Sequence, residues 1–227
     1  MTEIDTVRYK NAASAIEILL LSPELSKTET LAGCSLAKAH QVGAVIVKPC
    51  FVRQAVTALK GTEIAVSTVI GFPHGSNSTV VKMAETKRAL TEGATEIEVV
   101  VNLGYLRSEE IDAFRDDIQC VCGLAHMNGA LVKVNLEAGL LSVSQIITAA
   151  RIAVKAGADW LSTSTGFAEK NASLDEISII KRAVGDSVGI KAMGDINSLS
   201  EFLAVQKAGC NRVGTANCAA ILRELNN

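Results

Sequence analysis

Apolar residues recur along this chain in two alternating patterns. Extended runs rich in Val and Ile cover Ile16 to Leu21, Ala44 to Lys48, Ile64 to Ile70, Glu96 to Asn102, Leu131 to Leu136, Trp160 to Thr163, Val188 to Met193 and Arg212 to Thr215. Between them lie stretches of helical period, ended by Gly43, Gly61, Gly93, Gly129, Gly157 and Gly209. Ser26 with Glu29, Ser142 with Gln145, Ser173 with Glu176 and Ser198 with Glu201 have the spacing of capping boxes, and Ser78 and Ser108 are candidate caps for two more helices. Eight strands alternating with amphipathic helices predict a parallel sheet, because each crossover must return the chain to the same edge. The expected fold is α/β, a single (β/α)8 TIM barrel, with a doubly wound open sheet as the alternative.

At 227 residues the chain has the usual size of one such barrel, and no Gly/Ser/Pro-rich linker interrupts the rhythm, so residues 1–227 are expected to form a single domain. A formal charge of −2 with no block of like charge gives nucleic acid no face to bind. The N-terminus lacks the layout of a signal peptide and the apolar runs are too short to span a bilayer, so a cytoplasmic protein with no membrane partner is expected. The six cysteines, Cys34, Cys50, Cys120, Cys122, Cys210 and Cys218, show no close-pair framework and read as free thiols packed as small apolar groups.

In a barrel of this kind the reacting groups sit at the carboxyl ends of the strands, and polar residues inside apolar runs are costly unless paired. Four interruptions stand out: Lys48 in A-V-I-V-K-P, Glu98 in E-I-E-V-V-V-N, Lys133 in L-V-K-V-N-L-E and Lys191 in V-G-I-K-A-M-G. Lysines crowded into a lumen would repel one another and lose solvation, so at least one ammonium is expected to have a lowered pKa and to offer a neutral amine. Alternation places Lys48 on the same strand face as Ile46. The three histidines, His40, His74 and His126, are too far apart for a metal cluster, and neither G-x-S-x-G nor G-x-x-x-x-G-K is present, so no metal or other cofactor is expected.

These motifs resemble the deoxyribose-phosphate aldolase family. The family's V-C-V-x-P looks like V-I-V-K-P here, its G-F-P-x-G is Gly71 to Gly75, its G-A-D-E-[IV]-D is similar to Gly93 to Glu98, its K-V-I-I-E to Lys133 to Glu137, and its [IV]-K-A-S-G-G to Ile190 to Asp195. The likeness covers at least six of the eight units. It implies a lyase that makes or breaks a carbon–carbon bond of a small carbonyl compound, with Lys191 and Lys133 in an amine network and Glu98 in place of a proton-relaying aspartate. Thr165, Gly166 and Gly194 would line the substrate pocket, and paired subunits in the family imply a homodimer. The departures fall in the same site. The family's imine-forming lysine, in apolar-Lys-Thr-Ser-Thr-Gly, is Ser162; Glu17 stands for an aspartate; and Asp195, Ala216 and Asn217 stand where the resemblance places phosphate-binding glycine and serines. Departures this numerous exceed what one designed substitution at Ser162 would bring. A serine cannot form an imine, so the Schiff base is either relocated, to Lys48 or Lys191, or lost. A carboxylate at Asp195 would repel a phosphate and favours a neutral or differently charged carbonyl ligand. Two alternatives stay open: an isomerase, dehydratase or cyclase working by acid/base steps alone, and a catalytically silent relative that binds a metabolite or a protein.

Overall fold

A computed structural model describes residues 11–171, 173–194 and 196–225. Eight parallel strands close into a barrel in sequence order, β1 (Ile16–Leu20), β2 (Ala44–Val47), β3 (Ala65–Ile70), β4 (Glu96–Val100), β5 (Leu131–Asn135), β6 (Trp160–Ser162), β7 (Gly189–Met193) and β8 (Arg212–Thr215), with β8 pairing back to β1. The helices are α1 (Lys27–His40), α2 (Val52–Ala58), α3 (Thr79–Thr91), α4 (Leu103–Arg107), α5 (Ile111–Met127), α6 (Val143–Lys155), α7 (Leu174–Val184), α8 (Leu199–Lys207) and α9 (Cys218–Leu225). The closed barrel is therefore the architecture, and the open sheet is excluded.

The strand period of two sorts each strand's side chains. Outward residues such as Val45, Val47, Ile97, Val99, Val132, Val134, Leu161 and Ile190 are fully buried against the helices. α6 meets them with Ile146, Ala149, Ala150 and Ala153, spaced i, i+3, i+4 and i+7. Burying a large side chain such as Phe114 in this layer contributes ~1.5–3 kcal/mol, and the sum over the layer is what holds eight units in one ring.

All four predicted capping boxes form with both reciprocal bonds. Ser78 does precede α3, but its side chain makes no capping bond, and Ser108 instead follows α4, while Glu110 precedes α5. Five of the six expected terminator glycines have positive φ. Gly43 is the exception. The left-handed residue after α1 is Gln41, and Gly43 is required because a Cβ there would collide with the Ser14 carbonyl. Cys120 is exposed and Cys122 buried on α5, so the two thiols do face different ways. Among the described residues, no helix is long and apolar enough to cross a membrane.

Two ties fix the upper rim on the β3–β4 side. Lys82 on α3 is buried, pairs with Asp117 on α5 at 2.5 Å and donates to the Val100 carbonyl at 2.9 Å. The Gly71 amide donates to Glu85 at 2.7 Å. Together they clamp the strand ends to the helices that flank them, and so set where the loop Gly71 to Gly75 leaves the barrel.

Candidate active site

The inward-facing residues of the lower lumen are charged. Glu17 on β1, Glu96 and Glu98 on β4, Lys133 on β5, Lys191 on β7 and Arg212 on β8 all lie at lumen positions, and all but Arg212 are 5% exposed or less in their side chains. Lys191 donates to Glu98 at 2.6 Å and to Glu17 at 2.8 Å. Lys133 donates to the other oxygen of Glu17 at 2.8 Å and to Glu96 at 2.7 Å. Arg212 bonds Glu96 at 2.6 Å, and its guanidinium stacks over the Trp160 ring at 4.6 Å, closing the floor. Asn135 occupies the free oxygen of Glu98 at 3.0 Å and reaches the Ser164 carbonyl at 2.7 Å.

Three carboxylates thus face three cations, and their formal charges cancel. This balance works against the neutral amine expected of Lys191. Burial alone would drive the Lys191 ammonium toward neutrality, but Glu17 and Glu98 outweigh it and its pKa is raised. Burial likewise opposes ionisation of Glu17, yet Lys133, Lys191 and Arg212 hold its carboxyl well below the usual range. Glu96 is lowered as well, burial being outweighed by Lys133 and Arg212 against the repulsion of Glu17. Lys133 and Lys191 turn inward as expected, but each is set between carboxylates.

Above this layer the lumen turns apolar. Leu21, Ile46, Val69 and Met193 form a separate buried cluster, with Leu19 and Phe72 packed on it. Met193 follows Lys191 by one inward position on β7, so the plug lies between the ammonium and the mouth. Ser162 sits at this junction, in register with Lys191 on one side and Asn135 on the other. Its hydroxyl is buried without a hydrogen-bond partner.

Lys48 does not join the lysines. β2 ends at Val47, the backbone turns into the 3-10 segment Pro49–Phe51, and alternation no longer applies. Its ammonium instead ties down the loop after β1, donating to the carbonyls of Pro23 at 2.8 Å and Leu25 at 2.7 Å, beside the Phe51 ring.

The mouth holds two cavities that share Thr165 and Phe167. One, of about 360 Å³, lies over β6 to β8 and β1 and is lined by Leu19, Leu21, Gly166, Met193, Gly194 and Asn197 among others. Among the described residues no lysine or arginine lines it. Asn217 stands beside it, donating to Asn197 at 2.5 Å, and Asp195 lies outside the described residues. The other, of about 390 Å³, lies toward β3 to β5 and contains His74, Glu137 and Glu169. Phe72 and Phe167 meet edge to face at 5.2 Å near the dividing line. Among the described residues, no group of three His, Cys, Asp or Glu side chains could hold a metal ion.

The sequence reading thus brings Lys191, Lys133 and Glu98 together, and places Ser162, Thr165, Gly166 and Gly194 above them. It missed Glu96, Arg212 and Asn135. A signal for Glu96 was present, since E-I-E puts it on the same strand face as Glu98. Glu17 was noticed as a departure, but not as the hub of the network.

Comparison with known proteins places the geometry. A family model described as DeoC/LacD family aldolase matches residues 10–224. The chain is 38% identical to a deoxyribose-phosphate aldolase of Geobacillus sp. (strain WCH70), over 93% of this chain and 95% of that one. It is 39% identical to one from Staphylococcus epidermidis, covering 95% and 97% respectively. Among solved structures, an aldolase designated QR15 superposes with a TM-score of 0.90 at 31% identity, covering 95% of this chain and 96% of that one. A deoxyribose phosphate aldolase from Aeropyrum pernix, described as a tetramer, superposes with a TM-score of 0.89 at 25% identity, covering 100% and 99%.

Proposed function

Because the chain belongs to the DeoC/LacD family of aldolases, we propose that it makes or breaks a carbon–carbon bond of a small, unphosphorylated carbonyl compound, using the charge and protons of Lys191, Glu98 and Glu17 without a covalent imine. The observation that carries this reading is the Lys191 ammonium, buried between two carboxylates with its pKa raised. A protonated amine has no lone pair with which to attack a carbonyl. It can donate to an oxygen on which negative charge grows, and in a dry lumen that interaction is strong.

In the cleavage direction, Glu98 takes the proton of the β-hydroxyl. The carbon–carbon bond breaks as the β-carbon becomes a carbonyl, the electron pair of the broken bond forms an enolate, and the Lys191 ammonium stabilises its oxygen until Glu98 returns the proton to the α-carbon. Lys133 holds Glu17 ionised beside it, and the unpartnered Ser162 hydroxyl is available to the substrate at the same level. To reach these groups a ligand must move Met193 or Phe72 aside, and Thr165, Gly166 and Gly194 would line its path. Among the described residues no lysine or arginine lines the cavity over β6 to β8, which supports a ligand without a phosphate.

A second reading, an imine on Lys191, draws on its register with Ser162. Borohydride reduction in the presence of a small aldehyde, followed by peptide mapping, separates the two. No adduct is expected, together with cleavage of deoxyribose that Lys191→Met abolishes. An adduct on Lys191 or Lys48 would establish the imine reading instead. Tighter binding of deoxyribose 5-phosphate than of deoxyribose would refute the unphosphorylated ligand, and no turnover of any aldol would refute the lyase.

A further inference from the structure

The cavity toward β3 to β5 is built differently from its neighbour. Its walls are Pro73, Val100, Leu103, Leu140 and Phe167, and its polar groups are Glu137, Glu169, Thr165 and the imidazole of His74. Among the described residues no lysine or arginine lines it, and its volume of about 390 Å³ is that of a small-molecule site.

Glu137 is only 4% exposed and is held with care. Its backbone is left-handed, φ 48° and ψ 52°, a conformation that costs a non-glycine residue ~1 kcal/mol or more and recurs at functional sites. The Asn135 side chain accepts the Glu137 amide at 3.1 Å. Thr165 fixes the carboxylate from the other side, its hydroxyl donating to Oε2 at 2.5 Å. Oε1 receives only the long bond from the Thr165 amide, 3.3 Å, and keeps most of its accepting capacity. Burial, with a smaller contribution from the charge of Glu98, raises the carboxyl pKa against the pull of these bonds. Among the described residues no lysine or arginine pairs with it, in contrast to the carboxylates of the lower lumen.

An oriented carboxylate, an aromatic ring and apolar walls in one pocket suit a single ligand chemistry. An ammonium group would pair with Oε1 and lie against the ring face, while its hydrocarbon body fills the rest. A carboxylate ligand would be repelled, and an alcohol would gain the hydrogen bond without the charge. We propose that this cavity is a binding site for a small protonated amine with a short apolar body, held by Glu137 and Phe167. The site adjoins the carbonyl cavity but needs neither turnover nor the ion network.

Calorimetric titration of the intact protein with benzylamine, benzyl alcohol and benzoate tests it directly. Benzylamine should bind saturably, benzyl alcohol at least tenfold more weakly, and benzoate not at all. Glu137→Gln should lower benzylamine affinity tenfold or more, and Phe167→Leu severalfold. Should Glu137→Gln fail to fold, acidification still decides: affinity for benzylamine should fall as Glu137 takes up a proton, and should do so equally in His74→Gln and Glu169→Gln, which remove the other titratable groups of the cavity. Failure of benzylamine to saturate at millimolar concentration, equal affinity for the alcohol, or affinity indifferent to both Glu137→Gln and pH would overturn the proposal.

Discussion

The lower lumen and the mouth of this barrel solve opposite problems. Below, every charged side chain has at least one partner of opposite sign, the charges cancel, and the Trp160–Arg212 stack shuts the floor. Above, the walls are largely apolar, and among the described residues the carboxylate of Glu137 pairs with no lysine or arginine and the Ser162 hydroxyl at the boundary has no hydrogen-bond partner. Charge by itself is therefore a poor guide to reactivity. Six groups of opposite formal charge packed against one another leave neither lumen lysine without an acidic partner, whereas a carboxylate beside an aromatic ring has unused capacity for a ligand.

Removing the hub of the lower layer should break this contrast most severely. Glu17→Gln leaves Lys133 and Lys191 with one carboxylate each in a dry site, and breaking a buried pair this way costs ~3–5 kcal/mol. The midpoint of urea unfolding would report it. A loss below ~1 kcal/mol would mean that the network is solvated and not a closed unit.

Acid should produce a graded form of the same lesion. Glu17 and Glu96 have folded pKa values below the ordinary 4.5, so the stability they contribute is complete above that pH and is lost as the pH falls toward the folded values. Glu137, raised, acts with the opposite sign, and the stability gained when it takes up its proton partly offsets the loss. A thermal melt followed across this range should show a net fall in Tm, and in Glu17→Gln a smaller one. An identical acid limb in both proteins would remove Glu17 from the account.

Lys48 should give the smallest response. Its two bonds to the Pro23 and Leu25 carbonyls are partly solvent-accessible, so Lys48→Met should cost about 1 kcal/mol. Aldehyde cleavage should be unaffected. Loss of turnover in this variant would return Lys48 to the reacting centre and weaken the division between the two regions.

The barrel was legible because its signals are local and redundant. Ser142 with Gln145 or Ser198 with Glu201 marks a helix start whatever lies around it, and the Val/Ile runs mark strands within a residue or two. Site chemistry was less legible because it depends on what lies across the lumen. Lys191 and Glu17 are 174 residues apart in sequence, and nothing near either one announces the other. Lys48 shows a second limit. Period-two reasoning holds only while the strand lasts, and β2 stops one residue short of it. Ser108 misled for a similar reason, since a short helix, α4, ends where one was expected to begin.

The mutual dependence of the six lumen groups also bears on how such a protein can change over generations. Any lineage that alters one member first must pass through a destabilised intermediate, whereas exchanging opposite partners together, or the whole set for hydrocarbon, can be nearly neutral. The arrangement therefore acts as a ratchet. It can outlast the reaction it once served, and finding these residues in a distant cousin would testify to descent rather than to a surviving activity.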